Sequence, residues 1–221
     1  MSILEIRNVS YTYQSQYQKT DALKNVSLTF EPGAVYAITG KSGSGKTTLL
    51  SLMAGLDLPT QGEILCEGTS TSKMDLQKYR REKAAVIYQS FRLLPLLTVA
   101  ENVMFPMELT GMKAASAKKE ALRLMAKVDL SKKYANRFPT MLSGGEQQRV
   151  AIARALAMKT KILLADEPTG NLDSANSENI MRILCSLAHE EGYCVIIVTH
   201  DPAIAEASDY VIRMNDGEIL S

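Results

Sequence analysis

The residues that most restrict how this chain can fold are Val35 to Thr48, VYAITGKSGSGKTT. VYAIT is apolar nearly throughout, as a strand buried on both faces must be, and such strands belong to parallel sheets covered by helices. The next eight residues, Gly40, Lys41, Ser42, Gly43, Ser44, Gly45, Lys46 and Thr47, fit the spacing G-x-x-x-x-G-K-[ST], and Thr48 follows at the head of an apolar helix. Glycines in such a loop let successive backbone N–H groups curl round phosphate oxygens. The helix start adds positive partial charge, the lysine meets the β and γ phosphates, and the threonine hydroxyl holds Mg²⁺. One fourteen-residue stretch therefore implies an α/β sheet and a nucleotide triphosphate at its edge.

Other segments read in the same way. AVIY (Ala85 to Tyr88), ILLAD (Ile162 to Asp166) and CVIIVT (Cys194 to Thr199) are short apolar runs suited to central parallel strands. Between the last two, Ile180, Ile183, Leu184, Leu187 and Ala188 recur at helical spacing from about Ser177 to Glu190, closed by Gly192. VSLTF (Val26 to Phe30) instead alternates, with Val26, Leu28 and Phe30 on one face. With LEIRNV before it, this predicts an antiparallel layer at the N-terminus. Gln14 to Asp21 is polar and is expected to be a loop, residues from about 93 to 138 a helical insertion, and Asp216-Gly217 a hairpin turn. The 221 residues suit one domain.

A net charge of +1 gives no global field to steer nucleic acid, so none is expected as a partner. Cys66, Cys185 and Cys194 form no C-x-x-C pair and are read as reduced core thiols of a cytosolic protein. No stretch approaches the roughly 20 apolar residues that cross a bilayer. The N-terminus also lacks the features of a signal peptide.

Several polar residues emerge where parallel strands end, the edge at which open α/β sheets place ligands. Asp166 and Glu167 end one strand: the first can orient Mg²⁺ through its water, and the second can polarise a water attacking the γ-phosphate. Gln89 and His200 end two others. A second glycine-led helix opens at LSGGEQ, Leu142, Ser143, Gly144, Gly145, Glu146 and Gln147. Ser143 and Glu146 fit a capping box, but adjacent glycines cost chain entropy unless the backbone approaches something closely. Both helix starts serving one γ-phosphate within one chain would compete, and a second subunit removes the conflict.

LSGGEQ together with the phosphate loop resembles the ATP-binding subunits of ABC transporters, over essentially the whole chain. The resemblance implies a P-loop NTPase core with a mostly parallel sheet, an N-terminal antiparallel β subdomain and a helical subdomain, all in one nucleotide-binding domain. It implies a head-to-tail homodimer holding ATP and Mg²⁺ between the phosphate loop of one copy and the LSGGEQ helix of the other. Residue by residue, it makes Tyr13 the aromatic that stacks on adenine, with Tyr11 as rival, and Gln89 the contact to Mg²⁺ and to the membrane partner. Asn171-Leu172-Asp173 becomes the D-loop, Asp166 the Mg²⁺-associated carboxylate, Glu167 the base and His200 the switch histidine. LLPLLTVAENV and LADEPTGNLD are similar to the group serving lipoprotein release, macrolide export, antimicrobial-peptide resistance and cell division. An ATPase driving a separate integral membrane permease of the export type, peripheral at the cytoplasmic face, is the expectation. Amino-acid importers share much of this pattern. Against a non-transport ABC ATPase, of DNA repair or the ribosome, this sequence shows no long coiled-coil insertion, and against a P-loop GTPase or kinase it shows no guanine-reading N-K-x-D.

Overall fold

Cys194 to Val198 shows how the layers are built, because its side chains divide between two cores at a period of two. Cys194, Ile196 and Val198 face one core and Val195 and Ile197 the other, all fully buried. The computed structural model describes residues 2–14 and 19–220. In chain order the strands are β1 (Leu4–Gln14), β2 (Lys19–Phe30), β3 (Val35–Thr39), β4 (Gln61–Cys66), β5 (Thr69–Ser70), β6 (Ala84–Tyr88), β7 (Ile162–Asp166), β8 (Cys194–Val198), β9 (Tyr210–Asn215) and β10 (Glu218–Leu220). The helices are α1 (Lys46–Met53), α2 (Leu76–Glu82), α3 (Val99–Leu109), α4 (Ala114–Lys127), α5 (Gly144–Ala157), α6 (Ser174–Glu191) and α7 (Pro202–Glu206).

One sheet, in the order β2-β1-β4-β5, is antiparallel. The other, β10-β9-β3-β8-β7-β6, is parallel except where β10 closes the hairpin predicted at Asp216-Gly217. The core between the sheets is filled by Leu49, Leu50, Leu52 and Met53 of α1 with Leu4, Ile6 and Ile64 above and Ile38, Leu164 and Ile196 below. On the far face of the parallel sheet, α3, α4, α5 and α6 pack a second core around Val103, Met107, Ile152 and Leu184. This mixed α/β architecture is the predicted fold class.

Three expectations need correction. The antiparallel strands are longer than the alternation indicated, because register shifts interrupt it. Asn8 and Asn25 take left-handed φ values of 49° and 52°, and each bulged N–H is caught across the ladder, by Ser27 Oγ and Ser10 Oγ respectively. Consequently Lys19 to Asp21 lie in β2 rather than in a loop, and residues 15–18 of the expected loop lie outside the described residues. Strand β6 is at the sheet edge, not in its centre; α2 and α5 pack against it, which explains its apolar sequence.

In the expected insertion, α3 and α4 are preceded by an irregular turn through Leu94 to Thr98 that a buried asparagine holds. Asn102 accepts from Leu94 N at 2.8 Å and donates to the carbonyls of Leu94, Leu97 and Thr98, each at 3.0 Å. Helix α6 starts at Ser174, three residues before the periodic apolar run, and ends at Gly192, whose φ of 70° suits a glycine.

Candidate active site

Because β3, β7 and β8 run parallel, their carboxyl ends deliver the phosphate loop, the Asp166-Glu167 pair and Thr199-His200 to one edge. There a cleft of about 780 Å³ is lined by Tyr13, residues 40–48, Asp166, Glu167, Val198 and His200. Thr20, Asp21 and Ala22 of β2 complete it, and the first two went unread in the sequence because they fall in the stretch taken for a loop. Two loop glycines have different reasons. At Gly40 a Cβ would sit 2.3 Å from the Met214 carbonyl, whereas Gly43 meets no neighbour and is required only by its φ of 81°. Lys46 is nearly buried and folds back over its own loop, donating to Gly40 O at 2.8 Å and Lys41 O at 2.9 Å. Ser44 Oγ is buried without a partner among the described residues. A buried hydroxyl left unpaired inside a nest of N–H groups fits an anionic ligand.

Tyr13 and Tyr11 meet edge to face at 4.9 Å, but they are anchored differently. Tyr11 donates to Asp57, and that carboxylate, with burial, raises the phenol to about 12. Tyr13 lies half exposed on the cleft rim, its hydroxyl 3.2 Å from Thr48 Oγ1.

Glu167 sits at φ 47°, a conformation uncommon for a residue with a side chain. Its N–H bonds Val198 O, and its two carboxylate oxygens are each engaged. Oε1 lies 2.7 Å from His200 Nδ1, and Oε2 accepts from Thr199 Oγ1 at 3.2 Å. Burial raises the neighbouring Asp166 carboxyl above its ordinary pKa and Glu167 raises it further, with Arg92 and Lys46 opposing. Two adjacent carboxylates, one of them desolvated, are stabilised by a cation.

The second glycine-led helix is elsewhere. Among the described residues, Leu142, Ser143, Gly144, Gly145 and Glu146 do not line this cleft. The capping box is formed: Ser143 Oγ accepts from Glu146 N at 3.3 Å and Glu146 Oε2 from Ser143 N at 2.8 Å. Leu142 is buried in the helical core. The glycines themselves touch their own chain. A Cβ on Gly144 would lie 3.2 Å from Leu172 Cδ2, and one on Gly145 only 2.1 Å from Asn176 Oδ1. Asp173 caps α6, accepting from Asn176 N and Asn176 Nδ2, both at 2.8 Å.

A family model described as "ABC transporter" matches residues 23–170. The chain belongs to the ABC transporter ATP-binding family. It is accordingly an ATP-binding and ATP-hydrolysing cassette. The ABC transporter ATP-binding protein YclH of Bacillus subtilis is 43% identical over 98% of this chain and 95% of its own length. The macrolide export ATP-binding/permease protein MacB of Aggregatibacter actinomycetemcomitans is 43% identical over 100% of this chain, which covers 34% of that protein. The dimeric structure of the cassette MJ0796, from Methanocaldococcus jannaschii, superposes with a TM-score of 0.90 at 42% identity, over 99% of this chain and 97% of that one.

Gln89 is a further predicted residue that stands apart from the phosphate loop. It does not line the cleft; instead Asn171 Nδ2 donates to Gln89 O at 3.2 Å and Gln89 Nε2 reaches Asn171 Oδ1 at 3.5 Å. Gly170 permits this, since a Cβ there would fall 2.7 Å from Gln89 Nε2. The turn after Gln89 carries two consecutive left-handed residues, Phe91 and Arg92, whose carbonyls are clamped by Arg154 of α5 at 3.0 Å and 2.6 Å. Arg154 and Asn176 were not picked out from the sequence, and Asn171 was named there only within the D-loop and without its partner, because each acts across a gap of 27 residues or more.

Proposed function

We propose that this cassette is the ATPase subunit of an export-type transporter, working from the cytoplasmic face of a membrane as a head-to-tail homodimer, with residues 1–221 forming one nucleotide-binding domain. The observation that carries this reading is the separation of the two glycine-led helix starts: one lines the cleft with Asp166, Glu167 and His200, and the other does not. A helix N-terminus attracts anions. A second copy brings the missing one, and the dimeric MJ0796 cassette supports that arrangement.

Within each composite site the cleft residues divide the work. The loop amides and Lys46 take the β and γ phosphates, exchanging two carbonyl contacts for phosphate oxygens. Tyr13 offers an exposed ring to the base, and its anchored neighbour Tyr11 does not reach the cleft. Thr47 and Asp166 are the donors for Mg²⁺, which supplies charge neutralisation on the phosphates when bound. Among the described residues no cluster of three or more carboxylate, histidine or cysteine side chains forms a metal cage. That fits an ion which relies on phosphate and water ligands. Glu167 acts as general base on the attacking water, with His200 holding its carboxylate. Gln89 would add its amide oxygen to this set, its Nε2 lying 3.5 Å from Asn171 Oδ1.

The permease contact is assigned to a groove of about 350 Å³ beside β6, lined by Leu94, Phe105, Pro106, Leu109 and Met112. Phe105 is 40% exposed and Leu109 64%, an apolar rim suited to a helix of a membrane partner. Among the described residues no helix is long and apolar enough to cross a bilayer. The permease is the proposed occupant of this groove, and MacB carries both functions in its name.

Size in solution tests the dimer. Glu167→Gln with ATP and Mg²⁺ should elute as a dimer, and adding Ser143→Arg should return it to a monomer. A double variant that still dimerises with ATP would show that α5 does not close the partner's site. Mixing Lys46→Ala with Ser143→Arg subunits should partly restore hydrolysis, because one of the two composite sites then carries neither lesion.

A further inference from the structure

The Glu167 carboxylate has two anchors of opposite character. His200, on Oε1, is on a side chain 73% exposed to solvent. Thr199, on Oε2, is completely buried at the end of β8. The direction of the Thr199 hydrogen bond is fixed by the ionised carboxylate, which can only accept. The hydroxyl proton therefore goes to Glu167, while Thr199 Oγ1 accepts from Asp201 N–H at 3.0 Å. The backbone reinforces this: Thr199 N donates to Ile38 O, next to the phosphate loop, and Glu167 N to Val198 O. The left-handed backbone at Glu167 brings the carboxylate to this hydroxyl.

We infer that Thr199 is a positioning residue for hydrolysis, the permanent anchor that sets the rotation of the Glu167 carboxylate while the exposed His200 engages and releases the other oxygen. The proposal rests on Glu167 being the base. A bidentately held carboxylate presents its free lone pairs in one direction, toward the cleft; held by His200 alone, it can rotate about its terminal torsion, which is soft. A misaligned base loses rate without losing nucleotide, because Thr199 contributes no atom to the cleft lining.

The test is steady-state ATPase kinetics on the full chain carrying Thr199→Val, which keeps the shape and removes the hydroxyl, and Thr199→Ser, which keeps the hydroxyl. Thr199→Val should lower kcat about tenfold, the scale of one hydrogen bond to a charged group, with KM for ATP unchanged within about twofold. Thr199→Ser should stay within about twofold of the parent. In the Glu167→Gln background, single-turnover hydrolysis should be no slower with Thr199→Val than without it. Thr199→Ala, read the same way, serves if the valine variant is poorly soluble. An undiminished kcat in Thr199→Val overturns the proposal, and so does an equal loss in both backgrounds, which would place Thr199's effect elsewhere. Unchanged turnover in Glu167→Gln alone removes the base assignment itself, a result distinct from either.

Discussion

Gly145→Ala separates two reasons for a glycine at the start of α5: approach of a partner's nucleotide, and approach of this chain's own α6. The structure supplies the second in numbers. An added Cβ would lie 2.1 Å from Asn176 Oδ1, 2.5 Å from its Cγ and 3.1 Å from its Cβ. Ordinary carbon contacts are about 3.5–4.0 Å, so the first overlap exceeds roughly 1 Å. Asn176 cannot turn aside freely, because it donates to Asp173 at 2.8 Å and accepts from Arg149 Nη1 at 3.4 Å. Overpacking of this kind costs about 1–3 kcal/mol. Alanine recovers up to about 1 kcal/mol of helix propensity, less in a first turn, which leaves a net loss of about 1–2 kcal/mol. Urea unfolding without nucleotide should read it as a lower midpoint with an unchanged slope. Asn176→Ala removes the two clashing atoms nearest the new methyl, so in that background Gly145→Ala should cost less by about 1 kcal/mol, a coupling within reach of a double-mutant cycle. If Gly145→Ala unfolds at the parent's midpoint, or the two changes add, the own-chain argument fails and the glycine serves the partner's nucleotide alone.

Glu167→Gln should bind ATP normally and hydrolyse it about 10²- to 10⁴-fold more slowly, checked by equilibrium binding and phosphate release. Lys46→Ala should fail earlier, in nucleotide affinity, since the lost ammonium belongs to the phosphate loop. Asn102→Leu leaves Leu94 N and Leu97 O of the Leu94–Thr98 turn without the partner that Asn102 supplies, while Leu94 O and Thr98 O keep backbone donors, and should destabilise the chain by about 3 kcal/mol in urea, whereas a loss under about 1 kcal/mol would mean that the turn is not held by this side chain. Leu94→Glu should reduce capture of the permease while the isolated cassette keeps its ATPase rate; Leu97→Glu, which lies outside the groove lining, should do so less.

The parallel core was legible because its strands are uniformly apolar and end in chemistry-bearing residues; Asp166, Glu167 and His200 needed only a shared strand direction to meet. The antiparallel layer was half legible. Its bulges at Asn8 and Asn25 break the period of two on which strand recognition depends, and the resulting misplacement of Lys19 to Asp21 hid Thr20 and Asp21 from the cleft. Asn102 illustrates a different obstacle. It sits in a helix among apolar neighbours, and nothing in TVAENV indicates that its amide reaches back to a turn four to eight residues earlier. Gln89 was legible as a strand-end polar residue, but its partner was not, because the clasp depends on Asn171 and on the missing Cβ of Gly170, more than eighty residues away.

These contacts join into one path. The groove residue Leu94 is held by Asn102, and the strained carbonyls of Phe91 and Arg92 by Arg154 of α5. The amino end of α5 touches Leu172 and Asn176, and Asn171 grips Gln89. A load applied at the groove therefore reaches α5 and the Asn171–Asp173 turn through side chain to backbone bonds, with few intervening rotatable groups. Neither end of this path lies in the cleft that holds Lys46 and Glu167. Within one copy the groove and the phosphate cleft share no lining residue; in the proposed head-to-tail dimer they meet where the α5 of one copy closes on the phosphate loop of the other. That geometry makes ATP a component of the interface rather than a ligand buried inside a subunit. Cleavage of the γ-phosphate then removes charge from between two helix N-termini that had converged on it, and the partners lose the attraction that brought their grooves together.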